Sequence, residues 1–171
     1  MLSMIEALAF VVFPALMIFA AFSDLFTMLI PNRVSLILAV MFFALAAYLP
    51  MSWEALVSHV TCALVVFGIV FVMWQFAWVG GGDAKLATAT SLWIGWDNLL
   101  DYGVIASVAG GLLTVAIMAL RWNDLPRRVL EVPFIARLAD KANGVPYGVA
   151  LALAGLLIYP QTLVWSKLGG L

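Results

Sequence analysis

Long apolar runs separated by short polar stretches make up most of the chain. The runs are continuous and lack the alternation of apolar and polar positions that a β-barrel strand shows, so they indicate helices. We identify six such segments, at roughly residues 4–22, 34–51, 55–78, 84–97, 102–120 and 145–166. The pattern therefore predicts an all-α fold, a polytopic membrane bundle of about six transmembrane helices.

The fourth segment is the shortest of these. Its roughly fourteen residues rise only about 21 Å as a helix, whereas the hydrocarbon core of a bilayer is about 30 Å thick. Either this helix begins below the membrane surface, or the flanking Trp93 and Trp96 extend it to the interface. The first arrangement would place Asp83 slightly inside the membrane.

Composition also indicates a membrane protein. Of the 171 residues, 66% are hydrophobic and 10% are charged, whereas soluble domains contain about 25% charged residues. We therefore expect one integral-membrane domain over residues 1–171, in contact with membrane lipid. The net charge of −1 does not suggest a nucleic-acid partner. The N-terminal stretch lacks the basic region of a secretory signal, so residues 7–22 are expected to remain as a spanning helix.

The basic residues lie in alternate loops between the segments. The second and fourth loops contain acidic residues but no Lys or Arg, and Lys167 alone departs from the trend. The first, third and fifth loops contain, in order, Arg33; Lys85; and Arg121, Arg127, Arg128, Arg137 and Lys141. The positive-inside rule then predicts that these three loops face the cytoplasm and that both termini are non-cytoplasmic. Asp24 and Asp83 would lie on the same, cytoplasmic side.

The fifth loop, about residues 121–144 between the fifth and sixth helices, is the only sizeable polar segment. Charged and apolar residues alternate in it, and Pro126 and Pro133 divide it into short pieces. Two interpretations stay open. The loop is either an amphipathic stretch at the cytoplasmic interface or a charged tether that fixes topology.

Two acidic residues adjoin apolar runs and are the main candidates for chemistry. Asp24 ends the first segment, and Asp83 follows three glycines, 80–82. An ionisable group beside hydrocarbon is costly to keep, which favours a functional role, and two carboxyls that meet can act as acid and base in hydrolysis. Each also has a structural explanation, as a polar helix end for Asp24 and as an N-cap in a flexible turn for Asp83. The glycine turn does not continue into the Lys-Ser/Thr of a phosphate loop.

The remaining polar and small residues are interpreted as structural. His59 fits a packed or interfacial histidine, and Cys62 fits a small buried hydrophobe without a disulfide or zinc partner. Small residues that recur at four-residue spacing indicate close helix packing. These pairs are Ala106/Gly110, Ser107/Gly111 and Ala150/Ala154.

Three motifs occur in a particular order along the chain. They are Asp24 with Ile30-Pro31-Asn32, then Gly80-Gly81-Gly82-Asp83-Ala84-Lys85-Leu86, then Val145-Pro146-Tyr147-Gly148-Val149-Ala150. Together they resemble the two aspartate motifs and the Pro-Tyr-Gly-x-Ala segment of the prepilin peptidases, a group of GxGD intramembrane aspartyl proteases. The size is similar to the short type that serves Flp/Tad pili. The longer type IV pilus enzymes contain a cytoplasmic insertion with zinc-binding cysteines and often N-methylate the pilin. Nothing here matches that insertion, so neither its zinc nor its methyltransferase activity is carried over by the resemblance, and no metal or cofactor is expected.

The resemblance implies a role for each matching residue. Asp24 and Asp83 would be the catalytic pair, which activates a water while sharing one proton. Gly80 and Gly82 would let the substrate backbone approach, and Lys85 would meet substrate or lipid charge. Pro31, Asn32 and Pro146 would support the motifs.

The resemblance also implies a substrate and a location. The substrate would be a prepilin or pseudopilin precursor with a short basic leader, a glycine before the cut and a hydrophobic helix after it. Cleavage would take place at the cytoplasmic face of the bacterial inner membrane.

Two other functions are compatible with a small polytopic membrane protein. A proton-coupled small membrane transporter would use the aspartates as a proton relay and would place carboxylates nearer the middle of its spans, with an inverted repeat. A non-catalytic membrane scaffold of a secretion system would tolerate Asp→Asn at both positions. The acids lie at the ends of segments and no repeat is evident, which favours the peptidase.

Overall fold

The computed structural model of the protein describes residues 4–49, 51–123 and 126–169. These residues form helices and no strands, which confirms the predicted all-α class. The helices are α1 (Met4–Thr27), α2 (Asn32–Tyr48), α3 (Trp53–Gln75), α4 (Gly81–Trp122), α5 (Arg127–Leu130), α6 (Pro133–Ala139), α7 (Tyr147–Ile158) and α8 (Leu163–Lys167), with a 3₁₀ turn at Tyr159–Gln161.

Several of these helices have the length and composition of membrane spans. Three are long and apolar enough to cross a bilayer, namely Phe10–Thr27 within α1, α3 and α4, and two shorter apolar helices cover Asn32–Tyr48 and Tyr147–Gln161. Large apolar side chains such as Leu100 and Leu112 project from the bundle surface, as expected where lipid replaces water. The fold is therefore a membrane helix bundle, as predicted.

Helix α4 consists of two halves that meet at Gly95. This residue has φ 71° and ψ 177°, a backbone conformation that is open essentially only to glycine. Leu92, just before the break, contacts His59 near the start of α3, whereas Arg121, at the end of the second half, contacts Gly144 just before α7. The two halves therefore run in opposite directions and correspond to the fourth and fifth predicted segments. The chain reverses at Gly95, slightly earlier than the sequence pattern suggested.

The reversal is stabilised by a histidine. The ring of His59 is buried, and its Nδ1 lies 2.8 Å from the carbonyl oxygen of Leu92, so Nδ1 carries the proton and donates it. A side chain at position 95 would place its Cβ 2.9 Å from Cε1 of His59. His59 is thus the packed histidine that the sequence predicted, and the neighbouring Cys62 is fully buried, also as predicted.

Replacing Gly95 with alanine is expected to destabilise the bundle by about 1–3 kcal/mol, because the residue would keep a strained backbone and would also push against His59. Thermal unfolding in detergent measures this as a lower midpoint. Gly68→Ala in α3 is the matched control, since a Cβ there meets nothing within 4 Å. Equal midpoints for the two variants would contradict the role given to Gly95.

Aromatic residues form the core that holds the first half of α4 against α1 and α2. Trp93 is completely buried, and its Nε1 donates to the carbonyl oxygen of Leu38 at 2.9 Å. Its ring packs against Phe13 of α1 and Phe42 of α2. Trp93 therefore cannot extend this short helix to the membrane interface, whereas Trp96 is exposed. This core fixes the helix that carries Asp83 relative to the helix that carries Asp24.

Helices α1 and α8 meet at one end of the bundle. The ring of Phe10 in α1 contacts that of Trp165 in α8 in a tilted arrangement, with centroids 3.8 Å apart. The opposite end of the bundle brings together the last turn of α1, the start of α2, the start of α4 and the start of α7, as shown by the contacts of Ile30 with Gly82 and Gly148. The candidate residues are therefore at the end of the bundle that lies away from the contact between Phe10 and Trp165.

Candidate active site

Asp24 lies in the last turn of α1, where its side chain is buried. The helix ends at Met28, which adopts φ 56° and donates its N–H to the carbonyl oxygen of Asp24 at 2.8 Å. A left-handed residue is a common way to stop a helix, although methionine seldom adopts it. The hydroxyl of Ser23 stabilises this turn by donating to the carbonyl oxygen of Leu29 at 2.7 Å. The turn directs the chain away and leaves the Asp24 carboxyl facing α7.

The first turn of α7 supplies the partner of this carboxyl. The backbone N–H of Gly148 donates to Oδ2 of Asp24 at 2.7 Å. Pro146, which is buried, is the N-cap residue of α7 and leads into the Tyr147-Gly148 pair. The N-terminus of a helix presents free N–H groups and a partial positive charge, and both stabilise a carboxylate. The start of α7 is therefore a binding site for the ionised form of Asp24.

Close packing at Gly148 makes this contact possible. A Cβ at this position would lie 2.8 Å from Oδ2 of Asp24 and 2.5 Å from Cδ1 of Ile30. Both distances are below those that real Cβ atoms adopt. Glycine is thus the residue that lets the backbone of α7 reach the carboxyl.

Asp83 lies in the first turn of α4, and Gly80 is the N-cap residue of that helix. Its carboxyl folds back over Gly80, where an added Cβ would lie 2.9 Å from Oδ2 of Asp83. Its Oδ1 is buried and has no hydrogen-bond partner within the described residues. The carboxyl interacts electrostatically with Asp24 and with the backbone N–H groups of Gly148 and Gly80. The N-cap residue is therefore Gly80 and not Asp83, whose carboxyl reaches back to the start of α4 and lies beside Asp24.

The two carboxyls line one cavity of about 480 Å³. Trp74, Gly81 and Tyr147 are also part of its wall, as are Met28 and Ala77. Met28 and Ala77 are the non-glycine residues with positive φ within the described chain, so the turns that shape this cavity are strained. A cavity with two neighbouring carboxyls, one of which has a buried oxygen without a hydrogen-bond partner among the described residues, can hold a water or a carbonyl group between an acid and a base.

Of the other predicted site residues, Gly80 lines this cavity, whereas Gly82, Lys85, Pro31, Asn32 and Pro146 do not. Nζ of Lys85 donates to Oδ1 of Asn32 at 2.8 Å, which ties the first turn of α4 to the first residue of α2. Pro31 is the N-cap residue of α2 and is exposed. Gly82 faces Ile30, whose Cβ would lie 3.2 Å from an added Cβ, so the absence of a side chain at Gly82 serves packing between the motifs.

Arg121 is a residue whose contribution the sequence did not reveal. Its guanidinium donates to the carbonyl oxygens of Leu138 at 2.8 Å, Asn143 at 2.9 Å and Gly144 at 2.8 Å. Arg137 in turn donates to the carbonyl oxygen of Phe26 in the last turn of α1. These contacts fold the 133–144 segment against the ends of α1 and α4 and set the position from which the chain enters α7. The Pro-Tyr-Gly sequence at the start of the last long helix was the signal for Gly148, but no sequence signal indicated Arg121.

Within the described part of the chain, no group of three or more His, Cys, Asp or Glu side chains is arranged to hold a metal ion. The groups that the site offers for chemistry include the two carboxyls and the N–H of Gly148.

The sequence of this chain is similar to those of known proteins. Residues 11–115, which include both aspartates, match the model of the type IV leader peptidase family. A prepilin leader peptidase/N-methyltransferase of Aeromonas salmonicida is 25% identical over 154 residues, covering 85% of this chain and 45% of the relative. The protein of the same description in Aeromonas hydrophila is 23% identical over 163 residues with the same coverage. The chain therefore spans a little under half the length of these relatives. No solved structure matches it.

Proposed function

Because the chain belongs to the type IV leader peptidase family, we propose that it is a membrane-embedded aspartyl endopeptidase that removes the leader peptide from prepilin or pseudopilin precursors. The observation that carries this proposal is the pair of neighbouring carboxyls, Asp24 and Asp83, in one cavity at the end of the bundle. Both adjoin apolar helices, where an ionisable side chain is costly unless it has a function.

The geometry supports different roles for the two carboxyls. Asp24 accepts a hydrogen bond from Gly148 and faces the N-terminus of α7, so this carboxyl holds the negative charge. Asp83 lies beside the charge of Asp24 and has a buried Oδ1 without a hydrogen-bond partner among the described residues, so we assign the shared proton to this carboxyl. Asp24 would take a proton from water, which attacks the scissile carbonyl, while Asp83 donates its proton to the carbonyl oxygen. The same pair then returns a proton to the departing amine as the intermediate collapses.

The cavity also suits the type of substrate proposed. A basic leader segment is attracted to a site that contains two carboxyls. Gly80 and Gly81 in the cavity wall have no side chain, which leaves room for the backbone of an extended peptide. A polypeptide whose basic end precedes an apolar stretch could therefore bind with its scissile bond at the carboxyls.

The proposal includes a topology. The candidate site would face the cytoplasm of a bacterial inner membrane, both termini would be outside, and residues 1–171 would act as one peptidase domain of the Flp/Tad type. The side of the bundle that carries the site also carries Arg33, Lys85, Arg121 and Arg137, which supports this orientation.

The experiment that tests the function is incubation of the purified protein in lipid vesicles with a pilin precursor, followed by mass spectrometry of the products. The proposal expects two fragments, a leader that ends at one peptide bond and a mature pilin that begins after it. Vesicles without the protein are the control for other proteases. Absence of cleavage with several pilin precursors, by protein whose fold is confirmed, would contradict the proposed activity.

A further inference from the structure

A second cavity, of about 560 Å³, adjoins the one that holds the carboxyls. It is a groove between α3, the second half of α4 and the start of α7, and its wall is mostly apolar, with residues such as Val70, Leu99 and Leu151. The groove is not a separate site. Trp78, Val79, Asp83 and Tyr147 line both cavities.

Small residues form one wall of this groove. Gly103, Ala106 and Ser107 lie along the second half of α4, where Gly103 and Ser107 are exposed. A Cβ added at Gly103 would meet nothing within 4 Å. The pair Ala106/Gly110 behaves as predicted, because Gly110 is buried against Tyr147 and Ala150 of α7. Gly103 and Ser107, by contrast, lie one turn apart on the exposed wall of the groove. Small residues at a lipid-facing position allow another helix to approach closely.

Tyr102 and Asp83 both line the groove, and each has a buried oxygen without a hydrogen-bond partner among the described residues. Tyr102 is 4% exposed, and its hydroxyl lies near Thr90. A buried polar group without a partner is costly. The unpartnered oxygen of Asp83 belongs to a residue that lines both the groove and the carboxyl cavity, so the groove ends at the carboxyls.

The properties of the groove define its occupant. The lining is apolar, so the occupant is apolar. Inside hydrocarbon a polypeptide must satisfy its own backbone groups, so the occupant is a helix. The groove meets the carboxyl cavity at Asp83, which lines both. The helix in the groove is therefore continuous with the extended segment bound at the carboxyls.

We propose that the groove along Gly103 and Ser107 binds the apolar helix of the substrate that follows the scissile bond, and that it positions this bond at Asp24 and Asp83. This inference rests on the proposed peptidase function. A lipid chain or a second copy of this protein could also fill the groove, but neither would place a peptide bond at the two carboxyls.

The test compares two substrates with a set of glycine variants. One substrate is the full precursor, and the other is a short peptide with the leader and the first few mature residues but without the apolar helix. Gly103→Leu fills the groove without a clash inside the protein. Gly111→Leu is the matched control, because it lies two turns further along the same helix, is exposed, meets nothing within 4 Å and does not line the groove.

Gly103→Leu is expected to reduce kcat/KM for the full precursor at least tenfold, mainly through a higher KM, and to leave cleavage of the short peptide unchanged. Gly111→Leu is expected to cleave both substrates as the wild type does. Unchanged precursor cleavage by Gly103→Leu would overturn the groove assignment, and so would an equal loss with both substrates. If the wild type cleaves neither substrate, the peptidase function itself fails and the inference fails with it.

A cross-linking experiment tests the occupant without relying on the fold of a variant. A photoreactive phenylalanine analogue is placed at Val70 in the groove, and at Leu64 on the exposed surface of α3 as a control, both in an Asp83→Asn background that retains the precursor. The expected product is an adduct with the apolar segment of the precursor at Val70 only. An adduct of the protein with itself, or with lipid alone, would overturn the proposal.

Discussion

Single replacement of Asp24 or Asp83 by asparagine is expected to lower the rate of precursor cleavage by about 10³-fold or more. Each variant removes either the acid or the base from the pair, and one such group contributes about 10²–10⁴-fold to a rate. Asparagine has the size of aspartate, and its side-chain oxygen can still accept the Gly148 hydrogen bond that Asp24 receives. The loss is therefore expected in kcat, with little change in KM. Initial rates of leader release, measured at equal amounts of inserted protein, give the comparison.

The matched control is Asp97→Asn, an exposed acid at the far end of the bundle beyond Gly95. It is expected to cleave as the wild type does. The double variant at Asp24 and Asp83 is expected to be little worse than either single variant, because the two groups act as one unit. Retention of most activity by one single variant would show that the pair is wrongly assigned, even if the protein is a peptidase.

Replacement of Gly148 by alanine is expected to reduce kcat/KM by about 10²-fold, the order of loss that a displacement of about 1 Å in a catalytic group produces. The new methyl group would overlap Oδ2 of Asp24 and the end of Ile30, so either the carboxyl or the start of α7 must move. In both cases Asp24 loses its backbone donor or its position beside Asp83. Steady-state kinetics with the full precursor measure the effect.

Gly111→Ala is the matched control for this substitution, because Gly111 is exposed, does not line the carboxyl cavity, and an added Cβ there meets nothing within 4 Å. Its activity is expected to stay within about twofold of the wild type, as for most exposed substitutions. Thermal unfolding of both variants separates a local displacement from a general loss of the fold. Wild-type kinetics for a folded Gly148→Ala variant would show that the contact with Asp24 is dispensable.

The helical segments, and Asp24 and Asp83 as candidate residues at one end of the bundle, could be predicted from the sequence because both depend on local signals. Continuous apolar runs require spanning helices, and acidic residues next to such runs are costly enough to be conspicuous. The alternation of basic loops placed Asp24 and Asp83 at the same end of the bundle, and the structure brings them into one cavity.

The parts that could not be predicted depend on contacts between distant residues. The reversal at Gly95 arises where His59 of another helix occupies the space of a side chain. The Pro-Tyr-Gly motif drew attention to Gly148, but the donor to Asp24 is its backbone N–H, and the sequence does not show which side chain that N–H meets. The three partners of Arg121 are backbone carbonyls, and for the same reason the sequence showed only a charge in a loop.

We propose above that Asp24 and Asp83 act together as one base and one acid. The pH dependence of kcat/KM for cleavage of a pilin precursor by the lipid-reconstituted protein tests it most directly. At low pH both carboxyls are protonated and no base is left, whereas at high pH both are ionised and no acid is left. We therefore expect a bell-shaped profile, in which kcat/KM falls at both low and high pH while the protein stays folded. A rate that continues to rise into the alkaline range, as expected for a hydroxyl, thiol or histidine that acts without a protonated carboxyl, would contradict it.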